Sequence, residues 1–159
     1  AAAWLHDLVN LPKSAPNRKD AACLSAKAAT TYLGATGFPP EKIAAVAHAI
    51  AAHSFSAGLT PETIEAKILQ DADRIEALGA IGLARCLAVS GALGRALFDP
   101  DDPLAQDRPL DDQAFALDHF ETKLLRLPET MQTEAGRALA RARAQVLTDF
   151  RDQLMSELG

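Results

Sequence analysis

Aromatic side chains are scarce. They make up 5% of the 159 residues, with one Trp and one Tyr, so the core cannot be built on large rings. The apolar share is 48% and leans on alanine, which suits helices that approach one another closely. Only two cysteines occur, Cys23 and Cys86, with no Cys-x-x-Cys pair. That excludes a disulfide scaffold or zinc ribbon and reads as small buried thiols in a reducing cytoplasm. Positive charge is in deficit, 16 Lys and Arg against 21 Asp and Glu, a net −5. A general binder of duplex nucleic acid needs a basic surface, so that class drops out. No long hydrophobic run exists: Ala44 to Ala52 is interrupted by His48 and is too short to span a bilayer, so no membrane partner is expected. The start, Ala1-Ala2-Ala3-Trp4-Leu5-His6-Asp7, has no basic n-region and is not a signal peptide. It opens in mid-helix without Met and reads as lacking upstream sequence.

Apolar residues recur at helical spacing, and no strand-like alternation persists. The expectation is an all-α, single-domain helical bundle. Residues 1–9 read as the tail of a helix. Asp20 is set to open a helix to about Leu33, and Pro39-Pro40-Glu41 opens another to about His53. Thr60-Pro61-Glu62 combines an N-cap with an early proline, and Ile64, Ile68, Ala72 and Ile75 form one apolar stripe behind it. Gly79 and Gly82 punctuate the chain before a helix to about Leu97. The proline- and aspartate-rich stretch from Asp99 to Asp112 reads as a surface loop, not an interdomain linker. A helix from about Gln113 to Arg126 precedes Pro128. The last helix runs from about Thr133 to Leu158, with Leu139, Val146, Phe150 and Leu154 as its buried edge. Phe115, Phe120 and Leu124 suit either a core or a dimer face.

Four local features carry possible chemistry. His6-Asp7 supplies an imidazole nitrogen and a carboxylate oxygen, a mixture suited to Mn, Fe, Co, Ni or Zn. In Gln70-Asp71-Ala72-Asp73-Arg74, the two aspartates diverge by roughly 200° on a helix. Asp73 falls nearer the stripe through Ala72, where an acid needs a cation or a salt bridge to Arg74 or Arg85. His53 sits at a helix C-terminus, where the dipole favours its charged form. His48, five residues earlier, points elsewhere. Lys13 and Arg18 lie in a proline-bounded loop directly after His6-Asp7 and are cations suited to a phosphate.

This ordered series resembles the HD-domain metal-dependent phosphohydrolases, specifically a small bacterial single-domain branch. The resemblance rests on His6-Asp7, the Lys13–Arg18 loop, Ile50-Ala51-Ala52-His53-Ser54 and Asp71-Ala72-Asp73-Arg74. It continues through Leu78-Gly79-Ala80-Ile81-Gly82-Leu83-Ala84-Arg85, His119-Phe120-Glu121 and Gly136-Arg137-Ala138-Leu139-Ala140. It implies His6, Asp7 and Asp73 as metal ligands, and His53, Lys13 and Arg18 as contacts to the phosphate. A further ligand histidine belongs on a helix upstream of His6 in that family. Some members carry a glutamate soon after His-Asp to handle the attacking water. Leu8, Val9 and Asn10 stand there in this chain, so no general base is assigned.

The implied activity is hydrolysis of a phosphoester or phosphoanhydride, of a nucleotide, with a divalent metal: Mn, Co, Ni, Fe, Zn or Mg. The partner is then a small phosphorylated molecule. A second reading is a degenerate HD domain that binds a nucleotide or a protein without turnover, and a third is a helical adaptor. Arginines 137, 141, 143 and 151 on the last helix are interspersed with acids and read as a solvated face, not a nucleic-acid stripe.

Overall fold

The computed structural model describes residues 1–12, 15–54 and 57–159. The chain is all-α: α1 (Ala2–Leu5), α2 (Ala21–Ala35), α3 (Pro40–His53), α4 (Ile64–Ile75), α5 (Gly79–Ala92), α6 (Ala116–Thr122) and α7 (Glu134–Leu158). Short 3-10 segments cover Arg18–Asp20 and Leu124–Thr130. Among the described residues the only strand-like pairing is an isolated bridge between Ala96 and Phe115. No single helix among the described residues is long and apolar enough to cross a membrane. Contacts gather into two compact units, Ala1–Asp73 and Arg74–Gly159.

In the first unit, α3 is the central element. Ala26 and Ala29 of α2 meet Ile50, with Ala2 and Leu5 of α1 packed alongside. Ala49 of α3 meets Ala66 and Leu69 of α4. The scarcity of rings is thus answered by alanine faces that let helix axes come close. Pro40 opens α3 at a position where a missing N–H costs nothing. The opening of α4 differs from expectation. Thr63, not Thr60, supplies the cap, its Oγ1 accepting from the N–H of Ala66 at 3.2 Å.

The expected stripe on α4 is also corrected. Ile64 and Ile68 are more than half exposed, and Ala72 is exposed, while Ala66, Leu69, Gln70 and Asp71 are buried. Ile68 stands about 200° round the helix from Ala66, so burying the alanine turns the isoleucine outward. A close approach to α3 accepts the smaller residue. Cys23 is likewise exposed on α2 rather than buried, while Cys86 is half-buried on α5.

In the second unit, Leu78, Leu117, Phe120, Leu124, Leu127, Met131, Ala140 and Leu147 form the core, with Phe150 and Leu154 packed against it. Phe120 and Leu124 therefore belong to the core. On α7 the buried edge is Gly136, Ala140, Ala144 and Leu147. Leu139 and Val146, expected there, are exposed; each precedes its buried neighbour by one residue, about 100° round the helix. Gly79 opens α5 with φ +71°, and a Cβ on Gly82 would lie 2.3 Å from the Ala77 carbonyl carbon. The expected helix before Pro128 is divided: α6 ends at Thr122 and a 3-10 segment carries Pro128.

The proline- and aspartate-rich stretch lies inside this unit and folds on itself. Asp99, Asp102 and Asp111 accept local backbone N–H groups as turn builders. Arg108 donates two hydrogen bonds to the buried Asp118, at 2.6 and 2.9 Å, and stacks 4.5 Å from the centre of the Phe115 ring.

Candidate functional site

The candidate site lies in the first unit, where α1 ends and α3 ends. His6 is the C-cap of α1, and its Nδ1 lies 2.8 Å from the carbonyl oxygen of Ala3. His53 is the last residue of α3, buried, with its Nδ1 2.6 Å from the carbonyl oxygen of Ile50. Each ring thus faces a carbonyl three residues back, and a carbonyl only accepts. Both Nδ1 atoms must carry the proton, which leaves Nε2 as the lone-pair atom in each neutral ring.

Both Nε2 atoms face Asp7. His6 Nε2 is 3.3 Å from Asp7 Oδ2, and His53 Nε2 is 3.7 Å from Asp7 Oδ1. The rings meet edge to face, with centroids 4.9 Å apart. One ligand atom from each of His6, Asp7 and His53 falls within 4.8 Å of the others. Among the described residues this is the one group of three or more such side chains. Lone pairs that face one another in this way call for positive charge between them, supplied by a second proton on an imidazole or by a cation. Two imidazoles and a carboxylate suit a divalent transition metal.

Local packing holds this arrangement. After Asp7 the chain reaches Val9, whose N–H donates to the hydroxyl of Ser25 at 3.0 Å, while that hydroxyl donates to the Val9 carbonyl at 3.3 Å. Ser25 is fully buried on α2. From the other side, Gln70 of α4 donates through Nε2 to the carbonyl of Ala52 at 2.6 Å. Sequence reasoning missed both Ser25 and Gln70. A polar residue inside an alanine-rich helical stretch was the available signal.

The remaining sequence-derived site residues are distributed differently. Asp73 is half-buried on α4 and is not one of the three clustered side chains; its neighbour Asp71 is buried. The stripe that drew Asp73 inward runs through Ala72, which is exposed. Arg18 is exposed, and its Nη1 donates to the carbonyl of Leu11. Lys13 lies outside the described residues. His48 stands apart: its Nε2 accepts from the backbone N–H of Glu62 at 3.0 Å.

The HD-domain family model matches residues 1–78. The uncharacterised protein YpgQ of Bacillus subtilis (strain 168) is 33% identical over 161 residues, which cover 99% of this chain and 70% of YpgQ. The crystal structure of B. subtilis YpgQ in complex with ADP is similar at TM-score 0.71 and 35% identity, covering 98% of this chain and 73% of that one. An HD-superfamily hydrolase from Bacillus thuringiensis gives TM-score 0.72 at 36% identity over 98% of this chain and 70% of its own. A His-Asp pair at the end of a short helix, an alanine-rich all-α fold and these likenesses agree: this chain belongs to the HD-domain superfamily.

Proposed function

We propose that this protein is a metal-dependent phosphohydrolase that cleaves a phosphoester or phosphoanhydride of a nucleotide. The observation that carries the reading is the convergence of His6 Nε2, His53 Nε2 and the Asp7 carboxylate within 4.8 Å, with both Nδ1 atoms occupied by carbonyls. The nucleotide preference is supported by the ADP complex of YpgQ. Membership in a superfamily that includes hydrolases supports hydrolysis.

His6 and Asp7 hold the ion in this reading, and His53 faces it either as a nitrogen ligand or across it as a phosphate contact. A divalent ion held there supplies Lewis-acid polarisation of a phosphoryl oxygen and an acidified water. An oxygen ligand from α4 completes the shell. The family resemblance assigns it to Asp73, which is half-buried on that helix. Arg18, exposed beyond its bond to Leu11, and Lys13 neutralise the phosphate from the loop after the His-Asp pair.

The test uses the full-length natural protein with nucleotides and simple phosphoesters, each with Mn, Co, Ni, Fe, Zn or Mg. Phosphate release that depends on one of these metals, is abolished by chelation and falls by about a hundredfold or more in Asp7→Ala supports the reading. Nucleotide binding without release from any substrate would instead identify a binding module. Calorimetric titration of Mn²⁺ into Asp71→Asn and Asp73→Asn separates the two aspartates: the larger loss of affinity, about tenfold or more, is expected for Asp73→Asn.

A further inference from the structure

Gln70 is a polar, uncharged side chain that the fold buries to 1% exposure. Its Nε2 donates to the carbonyl oxygen of Ala52 over 2.6 Å. Ala52 immediately precedes His53, and the last four carbonyls of a helix have no N–H of their own helix to receive. Gln70 supplies that missing donor from a different element. The reverse amide orientation would set two oxygens against each other, so the assignment of the N–H is forced. His53 is then held twice. α4 fixes the peptide that leads into it, and the Ile50 carbonyl fixes its ring at Nδ1 over 2.6 Å.

Packing alone does not account for an amide here. The Oε1 of Gln70 is buried with no hydrogen-bond partner among the described residues. A methionine would occupy a similar volume without an orphan acceptor. The sequence carries that cost where the benefit falls on the residue next to a functional imidazole.

We infer that Gln70 is a positioning residue, which aims His53 Nε2 at the Asp7 carboxylate by clamping the carboxy end of α3. The inference rests on the reading of His53 as part of the metal-holding group and adds the element that orients it.

Two variants of the full chain remove the same donor with different charge, Gln70→Met and Gln70→Glu. The long-range ¹H–¹⁵N imidazole spectrum, recorded at one pH, reports the His53 tautomer; calorimetry with Mn²⁺ alone reports the site. Wild type is expected to show a single Nδ1–H tautomer at His53. The variants are expected to retain helical circular dichroism, lose that single-tautomer signature and bind Mn²⁺ about tenfold more weakly. A folded variant with the wild-type His53 signature and Mn²⁺ affinity within about twofold would overturn the inference, whatever its melting temperature. Failure of both variants to fold would make Gln70 a packing residue and overturn it equally. Should wild type bind none of Mn²⁺, Co²⁺, Ni²⁺, Fe²⁺, Zn²⁺ and Mg²⁺, the metal reading fails on that result, and the tautomer comparison still decides whether Gln70 aims His53.

Discussion

At the scale of single residues, the chemistry of His6 and Asp7 depends on neighbours with no chemistry of their own. Ser25 both accepts from and donates to the Val9 backbone, which ties the segment after Asp7 to α2. Ser25→Ala leaves the N–H and carbonyl of Val9 without that partner beside a buried position. The expected cost is about 1–3 kcal/mol in urea unfolding, with Mn²⁺ affinity weakened alongside. Asp118 shows the opposite balance. Burial pushes its carboxyl up, yet the paired Arg108 guanidinium and the Asp111 N–H hold it below the ordinary 3.8. Asp112 is lowered mainly by its hydrogen bond from His119, and Asp102 by backbone N–H groups of Gln106 and Asp107. Carboxyls lowered on folding contribute stability that is present above the unfolded value, about pH 4, and lost as pH falls through the folded values. Acid titration below about pH 4 should therefore weaken the second unit, and Asp118→Asn should make that loss shallower while lowering the melting temperature at neutral pH.

At the scale of elements, small residues decide which face of a helix goes inward. On α4, Leu69 is buried and Ile68 is 55% exposed. Leu69→Ala is expected to cost about 2–4 kcal/mol, whereas Ile68→Glu should stay within about 0.5 kcal/mol. Comparable losses from both would return the buried face to the stripe read from spacing. The turn from α4 into α5 makes a sharper demand. A methyl group on Gly82 would overlap the Ala77 backbone, 2.3 Å from its carbonyl carbon. Gly82→Ala should destabilise by about 1–3 kcal/mol, because the clash is with main chain that cannot rotate away. Thermal unfolding followed by circular dichroism measures it.

At the scale of the whole molecule, the arginines of α7 are already engaged. Arg141 pairs with Glu129 at 3.0 Å, Arg151 with Glu121 at 2.6 Å and Asp152 at 3.0 Å, and Arg137 donates to the Met131 carbonyl at 2.9 Å. With a net charge of −5, the chain should show no retention of duplex DNA at physiological salt. Tight, steeply salt-dependent binding that is lost on reversing these arginines would contradict this. The boundary between the two compact units falls at Asp73 and Arg74, within α4, while the proline-rich loop lies wholly inside the second unit.

Helical spacing, alanine content and absent alternation were enough to read an all-α chain, because period and composition are local properties. The His-Asp pair and His53 were also legible, since their residue types and order carry the family resemblance. Spacing does not say which face of α4 or α7 is buried when isoleucines, leucines and alanines compete for it. That choice is made by how closely the neighbouring helix approaches, which turned Ile64, Ile68, Leu139 and Val146 outward. Nor does spacing bring the ends of α1 and α3 together. His53 meets Asp7 across 46 positions of sequence, at 3.7 Å, because Ser25 and Gln70 fix the two segments by hydrogen bonds that exist only once the helices have packed.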